Sequence, residues 1–248
     1  TTEIYTLSLH DALPISAYNE ADRIVSSLEK AIEYFKDRYE YEILVVDDGS
    51  KDDTVKKASF FPEVRVLSLK KNQGKGAAVR TGMLEARGSF KVFTDADFST
   101  PINEVDKLLK ELENGTDICI GNRAIDPNMI KKHQPFYREY MGKTFNKIVQ
   151  LLLFKGIKDT QCGFKAFSES AAKKIFPIAK VNGFSFDVEI LLLARKMNLK
   201  IVQVPVEWYN DNRSKVDPIK DSIKMFIELF RIKSLHKNFK FKNDQEFN

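Results

Sequence analysis

Asp95 and Asp97 stand one residue apart at the end of an apolar run, Phe90-Lys91-Val92-Phe93-Thr94. Such a run reads as a buried strand. The acid pair therefore falls at a strand's carboxyl end, and the pleat sends both carboxylates to one side. Hard oxygen ligands at that spacing suit Mg²⁺ or Mn²⁺, ions that also accept phosphate oxygens. Carboxyl strand ends are where open α/β sheets take up ligands. An acid pair alone fits a turn or a helix cap equally well, so its surroundings must decide.

Those surroundings hold more groups of the same kind. Asp47-Asp48-Gly49-Ser50 closes a second apolar strand, Ile43 to Val46. Carboxylates there can accept from a base N–H or ribose hydroxyls, or simply cap the turn. Gly74-Lys75-Gly76 opens a helix but lacks the spacing of a nucleotide-triphosphate loop; its glycines and free N–H groups still favour an anion. Arg123 follows a strand end and Arg138 begins a long helical pattern. Converging beside a metal-bound diphosphate, two guanidinium forks would grip another phosphate bidentately. The three histidines, His10, His133 and His236, show no metal-ligand spacing. Cys119 and Cys162 make no disulfide framework and point to a reducing compartment. Cys162 has no histidine motif beside it and reads as a small packed residue.

The elements that carry these groups alternate. Ile24, Leu28, Ala31, Ile32 and Phe35 form a helical stripe. Strands follow over 43–46, 64–69, 90–95 and 117–121, separated by a short helix, a helix over 74–87 and one starting at Thr100-Pro101. This β–α alternation predicts a mostly parallel central sheet with helices on both faces. Further on, Asp187 and Glu189 open an apolar helix, where dipole complementarity explains them. Val202, Val204 and Val206 alternate in a strand over 200–208. A polar loop with Arg213 and Lys215 follows. From Asp217, Ile219, Ile223, Phe226, Ile227 and Phe230 share one helical face, with Lys220, Lys224, Arg231 and Lys233 around it. Such a helix can lie in a membrane interface or pack on the sheet.

Composition narrows the partners. The chain has 248 residues, 43% hydrophobic, with net charge +5, enough for one large α/β domain that favours an anionic partner. Its basic residues are not interleaved with aromatics as a stacking platform, so nucleic acid is not expected. The longest apolar stretch, residues 148–154, is too short to span a bilayer.

Seven segments in register carry a resemblance. Ala17-Tyr18-Asn19-Glu20, Val45-Val46-Asp47-Asp48-Gly49-Ser50, Asn72-Gln73-Gly74-Lys75-Gly76, Asp95-Ala96-Asp97 and Gly121-Asn122-Arg123 occur in the order found in family 2 glycosyltransferases of the GT-A fold. Asp159-Thr160-Gln161-Cys162-Gly163-Phe164-Lys165 and Phe186-Asp187-Val188-Glu189 resemble the branch of that family that glucosylates dolichyl phosphate. The resemblance implies a GT-A, Rossmann-like catalytic domain and inverting transfer of glucose from UDP-glucose to a polyprenyl phosphate. It implies nucleotide contacts from Tyr18, Glu20, Asp47, Asp48, Lys75, Asp95 and Ala96, and a divalent metal on Asp95 and Asp97. It implies lipid-phosphate contacts from Arg123 and Arg138, with Asp159 and Gln161 shaping the sugar pocket or acceptor loop. Arg213 and Lys215 match a phosphate-contacting loop. The expected place is the cytosolic face of a membrane, bound peripherally. Another sugar on the same lipid, or a non-catalytic sugar-nucleotide-binding domain, remains open at this point.

Both ends of the chain read differently from the domain, which is expected over residues 17–235. Leu7-Ser8-Leu9-His10-Asp11-Ala12-Leu13-Pro14 shows no clean alternation and holds a proline. Residues 1–16 resemble translated sequencing-adapter read-through, which implies a non-native segment in place of a lost first strand. Residues 236–248 read as a basic, disordered tail.

Overall fold

The computed structural model describes residues 11–211, 213 and 220–239. Seven strands form one sheet in the order β3-β2-β1-β4-β7-β5-β8. They are β1 (Asp11–Ala17), β2 (Tyr41–Asp47), β3 (Val64–Ser68), β4 (Phe90–Asp95), β5 (Ile118–Asn122), β7 (Lys165–Ser168) and β8 (Ile201–Pro205). All run parallel except β7, which lies antiparallel between β4 and β5. Two short strands, β6 (Ile130–Lys132) and β9 (Trp208–Tyr209), pair apart from the sheet. The mostly parallel sheet expected from the alternation is therefore present, with its parallel carboxyl ends along one edge.

Helices cover both faces: α1 (Ile24–Phe35), α2 (Thr54–Ala58), α3 (Lys75–Glu85), α4 (Val105–Glu113), α5 (Phe136–Leu152), α6 (Glu169–Ile175), α7 (Phe186–Lys196) and α8 (Lys220–Leu235). One core cluster joins Phe93 and Phe167 to Phe176, Phe186 and Leu191. The other joins Ile15, Ile43 and Phe164 to Leu28 of α1 and Leu108 of α4. Residues 186–194 of α7 are all buried, so this helix is wrapped on every side rather than amphipathic.

Four expectations need correction. Residues 11–16, expected to lie outside the domain, form most of β1 inside the sheet, with Ile15 opposite Val45 of β2 and Thr94 of β4. The described fold thus includes part of the segment expected to lie outside it, although Pro14 contributes no N–H to the ladder. The strand expected over 200–208 is two strands. β8 ends at Pro205, and Trp208–Tyr209 leaves the main sheet to pair with β6. Residues 236–239, expected to belong to a disordered tail, pack on the domain instead: His236 is 4% exposed and Phe239 packs against the core. Finally, the apolar face of α8 is not packed on the sheet. Ile223, Phe226, Ile227 and Phe230 are all exposed, while Leu229 and Ile232 bury the opposite side.

Candidate active site

The edge formed by the carboxyl ends of β1, β2, β4 and β5 collects most of the residues singled out above. At its centre, Asp95 is the last residue of β4. Asp97 lies one step beyond the strand, in a turn closed by the Phe98 N–H donating to the Asp95 carbonyl at 3.1 Å. The turn, rather than the pleat, brings the second acid back, and it holds Phe98 at φ 44°. Asp97 Oδ1 accepts from the Ser99 N–H at 2.9 Å. Burial, and then the neighbouring Asp95, push the Asp97 carboxyl above the ordinary range. Ala96 does not face the edge as expected. It is buried in the core cluster, and its carbonyl accepts from the Ser27 hydroxyl at 2.6 Å.

Lys75, the first residue of α3, reaches across to Asp95. Its Nζ donates to Oδ2 at 2.9 Å and lies 2.8 Å from Oδ1. Burial works against this ammonium, but Asp95 and Asp187 outweigh it and raise its pKa. Gly163 presses on the same carboxylate from the other side. A Cβ there would fall inside contact distance of both Asp95 oxygens. Beneath them, Lys165 and Asp187 form a fully buried ion pair, and Lys165 also donates to the Cys162 carbonyl. Asp187 is thus a partner of Lys165 rather than only a helix-dipole residue. Glu189 likewise accepts from the Lys180 and Val181 N–H groups and meets His236.

The nucleotide side is more tightly tied than the sequence suggests. Asp47 Oδ2 accepts from the Gly49 and Ser50 N–H groups, while its Oδ1 is buried without a partner. A buried carboxylate oxygen left open is an acceptor waiting for a donor. Asp48 spends its two oxygens on the Gln73 and Gly74 N–H groups, at 2.7 and 2.8 Å. It holds the Gly74 turn in place rather than facing solvent. Glu20 is engaged by Arg23. Tyr18 lies half-buried just past β1.

The arginine side is a second pocket. Arg123 and Asp159 form a bidentate pair, Nε to Oδ2 at 2.7 Å and Nη2 to Oδ1 at 2.8 Å, with the guanidinium over the Trp208 ring. Burial raises the Asp159 carboxyl, but Arg123 outweighs it and holds the acid below the usual range. Asp159 therefore anchors Arg123, and it also lines the first of the cavities beside it. Arg123, Arg138, Gln134 and Gln161 line two adjoining cavities of about 370 and 440 Å³. The second lies between α5 and α8, with walls from Phe145, Ile148, Met225 and Phe226. Gln161 Nε2 is buried with no hydrogen-bond partner. Cys162 is buried, and burial raises its thiol pKa, which agrees with packing rather than nucleophilic duty. Arg213 is bound to Asp211. Lys215 lies outside the described residues.

A divalent ion fits this edge. Asp97 Oδ2 has a guanidinium 4.0 Å away, and Asp95 Oδ1 lies 2.8 Å from the Lys75 ammonium. Asp97 therefore offers an oxygen directly, and Asp95 offers one in exchange for Lys75. Among the described residues no group of three or more acids, histidines or cysteines gathers as a metal cage. Two carboxylates completed by phosphate and water is an arrangement Mg²⁺ commonly adopts.

A mostly parallel sheet with an acid pair beyond its central strand, further carboxylates beside it and an arginine pocket beyond is the arrangement of a GT-A-type sugar-nucleotide transferase. The glycosyl transferase family 2 model matches residues 14–176. A dolichyl-phosphate beta-glucosyltransferase of Dictyostelium discoideum is 39% identical over 237 residues, 88% of this chain and 72% of the relative. Those of Saccharomyces cerevisiae and Homo sapiens are 36% and 35% identical, over 88% of this chain and 72% and 73% of theirs. The chain belongs to glycosyl transferase family 2 and, within it, to the dolichyl-phosphate beta-glucosyltransferases.

Solved structures agree on the fold. Mannosyl-3-phosphoglycerate synthase from Rubrobacter xylanophilus superposes with a TM-score of 0.72 at 18% identity, covering 98% of this chain and 79% of that one. Glucosyl-3-phosphoglycerate synthase from Mycobacterium tuberculosis, crystallised with Mn²⁺, UDP and glucosyl-3-phosphoglycerate, gives 0.66 at 19% identity over 90% and 79%.

Three site residues escaped the sequence reading. Arg23 looks like a helix-start surface charge, and Lys165 sits in a short strand with no apolar rhythm. Gly163 and Lys165 carried a signal only as members of the 159–165 motif.

Proposed function

We propose that this protein transfers glucose from UDP-glucose to a polyprenyl phosphate such as dolichyl phosphate, inverting the anomeric centre and releasing UDP. The observation that carries the reading is the arginine pocket. Arg123 and Arg138 line cavities beside the acid-pair edge, and one cavity runs between two helices whose walls are largely apolar. That geometry suits a phosphate joined to a hydrocarbon tail. A lipid monophosphate has a second pKa of roughly 6 and is ionised near neutral pH. It needs no general base, so nothing is asked of His133, which lines the first arginine cavity and is paired with Glu139. The work left to the chain is alignment. Arg123, steadied by Asp159, and Arg138 hold the acceptor phosphate, and Gln161 offers an unused amide donor to the sugar or phosphate. Asp47 and Tyr18 hold the nucleotide end, while Asp95 and Asp97 hold Mg²⁺ or Mn²⁺. When bound, the ion stabilises charge on the departing diphosphate.

No described helix is long and apolar enough to cross a membrane. The exposed face of α8, flanked by Lys224, Arg231 and Lys233, supports peripheral attachment to the cytosolic face of a membrane. Phe136 and Tyr140 of α5, 85% and 72% exposed, extend that surface. The test is a panel of UDP- and GDP-sugars with Mn²⁺ or Mg²⁺ and a short polyprenyl phosphate. Label passing from UDP-glucose into the lipid phase supports the reading. Transfer only from a different sugar nucleotide, or none from any, overturns it.

A further inference from the structure

Arg23 belongs to none of the motifs above, yet it connects two parts of the site. Its side chain is only 11% exposed, and its guanidinium is shared among three acids. Nε and Nη2 donate to Glu20, the second at 2.9 Å. Nη1 lies 2.9 Å from Asp211 Oδ2 and 4.0 Å from Asp97 Oδ2. Asp211 has a second cation. Arg213 donates to it from its backbone N–H at 2.8 Å, from Nε at 3.0 Å and from Nη2 at 2.6 Å. Asp211 is therefore gripped from inside by a buried guanidinium and from outside by one that is 59% exposed. The inner contact is walled in by protein. The outer guanidinium is open to solvent and can exchange its carboxylate for another anion whose oxygens satisfy the same fork.

We propose that Arg23 is a positioning residue that fastens Asp211, and with it Arg213, beside Asp97, so that Arg213 can exchange Asp211 for the donor's diphosphate while its segment stays at the site. This rests on the UDP-sugar reading above. Two consequences have opposite sign. A fixed positive charge 4.0 Å from Asp97 opposes a cation there, whereas the tether favours binding of the diphosphate. A residue that merely supported the fold would move both in the same direction.

The experiment is calorimetric titration of Mn²⁺ alone, and of UDP in saturating Mn²⁺, into wild type, Arg23→Gln, Arg23→Lys, Asp211→Asn and the double variant Arg23→Gln/Asp211→Asn. Arg23→Gln should bind Mn²⁺ about threefold to tenfold more tightly, by removal of the opposing charge. It should bind UDP about tenfold more weakly, as expected when a charge-assisted contact is no longer held in place. Arg23→Lys should restore the Mn²⁺ affinity to the wild-type level but not UDP binding, because an ammonium cannot fork between Glu20 and Asp211. The double variant should bind UDP no more weakly than Arg23→Gln, since the two residues act as one unit. In the unliganded protein, amide exchange at residues 209–213 should quicken in Arg23→Gln. Unchanged UDP affinity, equal weakening of both ligands, or additive losses in the double variant overturn the proposal. Wild type that binds no UDP overturns the donor reading instead, and the exchange rates then judge the tether by themselves.

Discussion

Asp11 should make this protein more stable in mild acid than in alkali, and its removal should abolish the difference. The residue opens the central strand β1, is 7% exposed, and has Oδ1 buried without a hydrogen-bond partner. Burial, and then the charge of Glu113, push its carboxyl from 3.8 to about 7. An acid whose folded pKa lies above its unfolded one binds its proton more tightly when folded. The stability this confers is complete below about pH 4 and drains away as the pH rises through 7. At about 1.4 kcal/mol per pH unit the full difference is roughly 4 kcal/mol. Relaxation around a buried carboxylate returns part of this difference, so about 2 kcal/mol is the working figure. Asp11→Asn keeps the shape and removes the ionisation. Urea unfolding followed by tryptophan fluorescence should find the variant about 2 kcal/mol more stable than wild type at pH 8, or roughly 4–8 °C higher in Tm, and equal to it below about pH 4. A variant no more stable at pH 8, or a gain that does not vary with pH, would refute the reasoning.

Other outcomes follow from the site. Asp97→Ala should lose most transfer while keeping its Tm, and EDTA should reproduce the loss in wild type; full activity in EDTA would remove the metal from the scheme. Arg123→Ala should raise the acceptor KM more than the donor KM. It should also cost about 3 kcal/mol of stability, because Asp159 is left buried and unpaired, whereas Arg138→Ala should change the acceptor KM alone. Gly163→Ala should cut activity at least tenfold with the fold intact, since its methyl group must displace the Asp95 carboxylate; wild-type turnover would show that Asp95 has freedom the packing denies it. Ile227→Glu should weaken sedimentation with anionic lipid vesicles without changing UDP affinity, and unchanged sedimentation would place the membrane contact off α8.

How legible these features were depended on how each residue is held. β2, β4 and β5 declare themselves because strands buried on both faces are nearly continuous apolar runs, and the half-buried edge strand β3 shows through its valines. The acid pair and Lys75 could be placed because strand ends and helix starts are marked by glycine, proline and acids. β1 could not be recognised, since Asp11 and Pro14 break the pattern that a central strand normally shows. β7 was equally hidden. Its first residue, Lys165, is buried only because Asp187 neutralises it from a helix more than twenty residues away. Arg23 and Asp211 are far apart in sequence, and nothing local marks either as a partner of the other. Asp159 was visible as part of a motif, but its job on Arg123 is a fact of three-dimensional proximity.

The reversed strand β7 has a consequence for how this enzyme can change. To run antiparallel between β4 and β5, the chain must enter the sheet from the reaction edge. Residues 159–165 are that entrance. They press Gly163 onto the Asp95 carboxylate and clamp Asp159 to Arg123. On the proposed function, one short stretch sets the geometry of two different substrates. A substitution selected there to admit a new lipid will also disturb the donor, and the reverse holds. Donor and acceptor preference should drift together across relatives in this stretch, and attempts to re-engineer either alone should meet with linked losses.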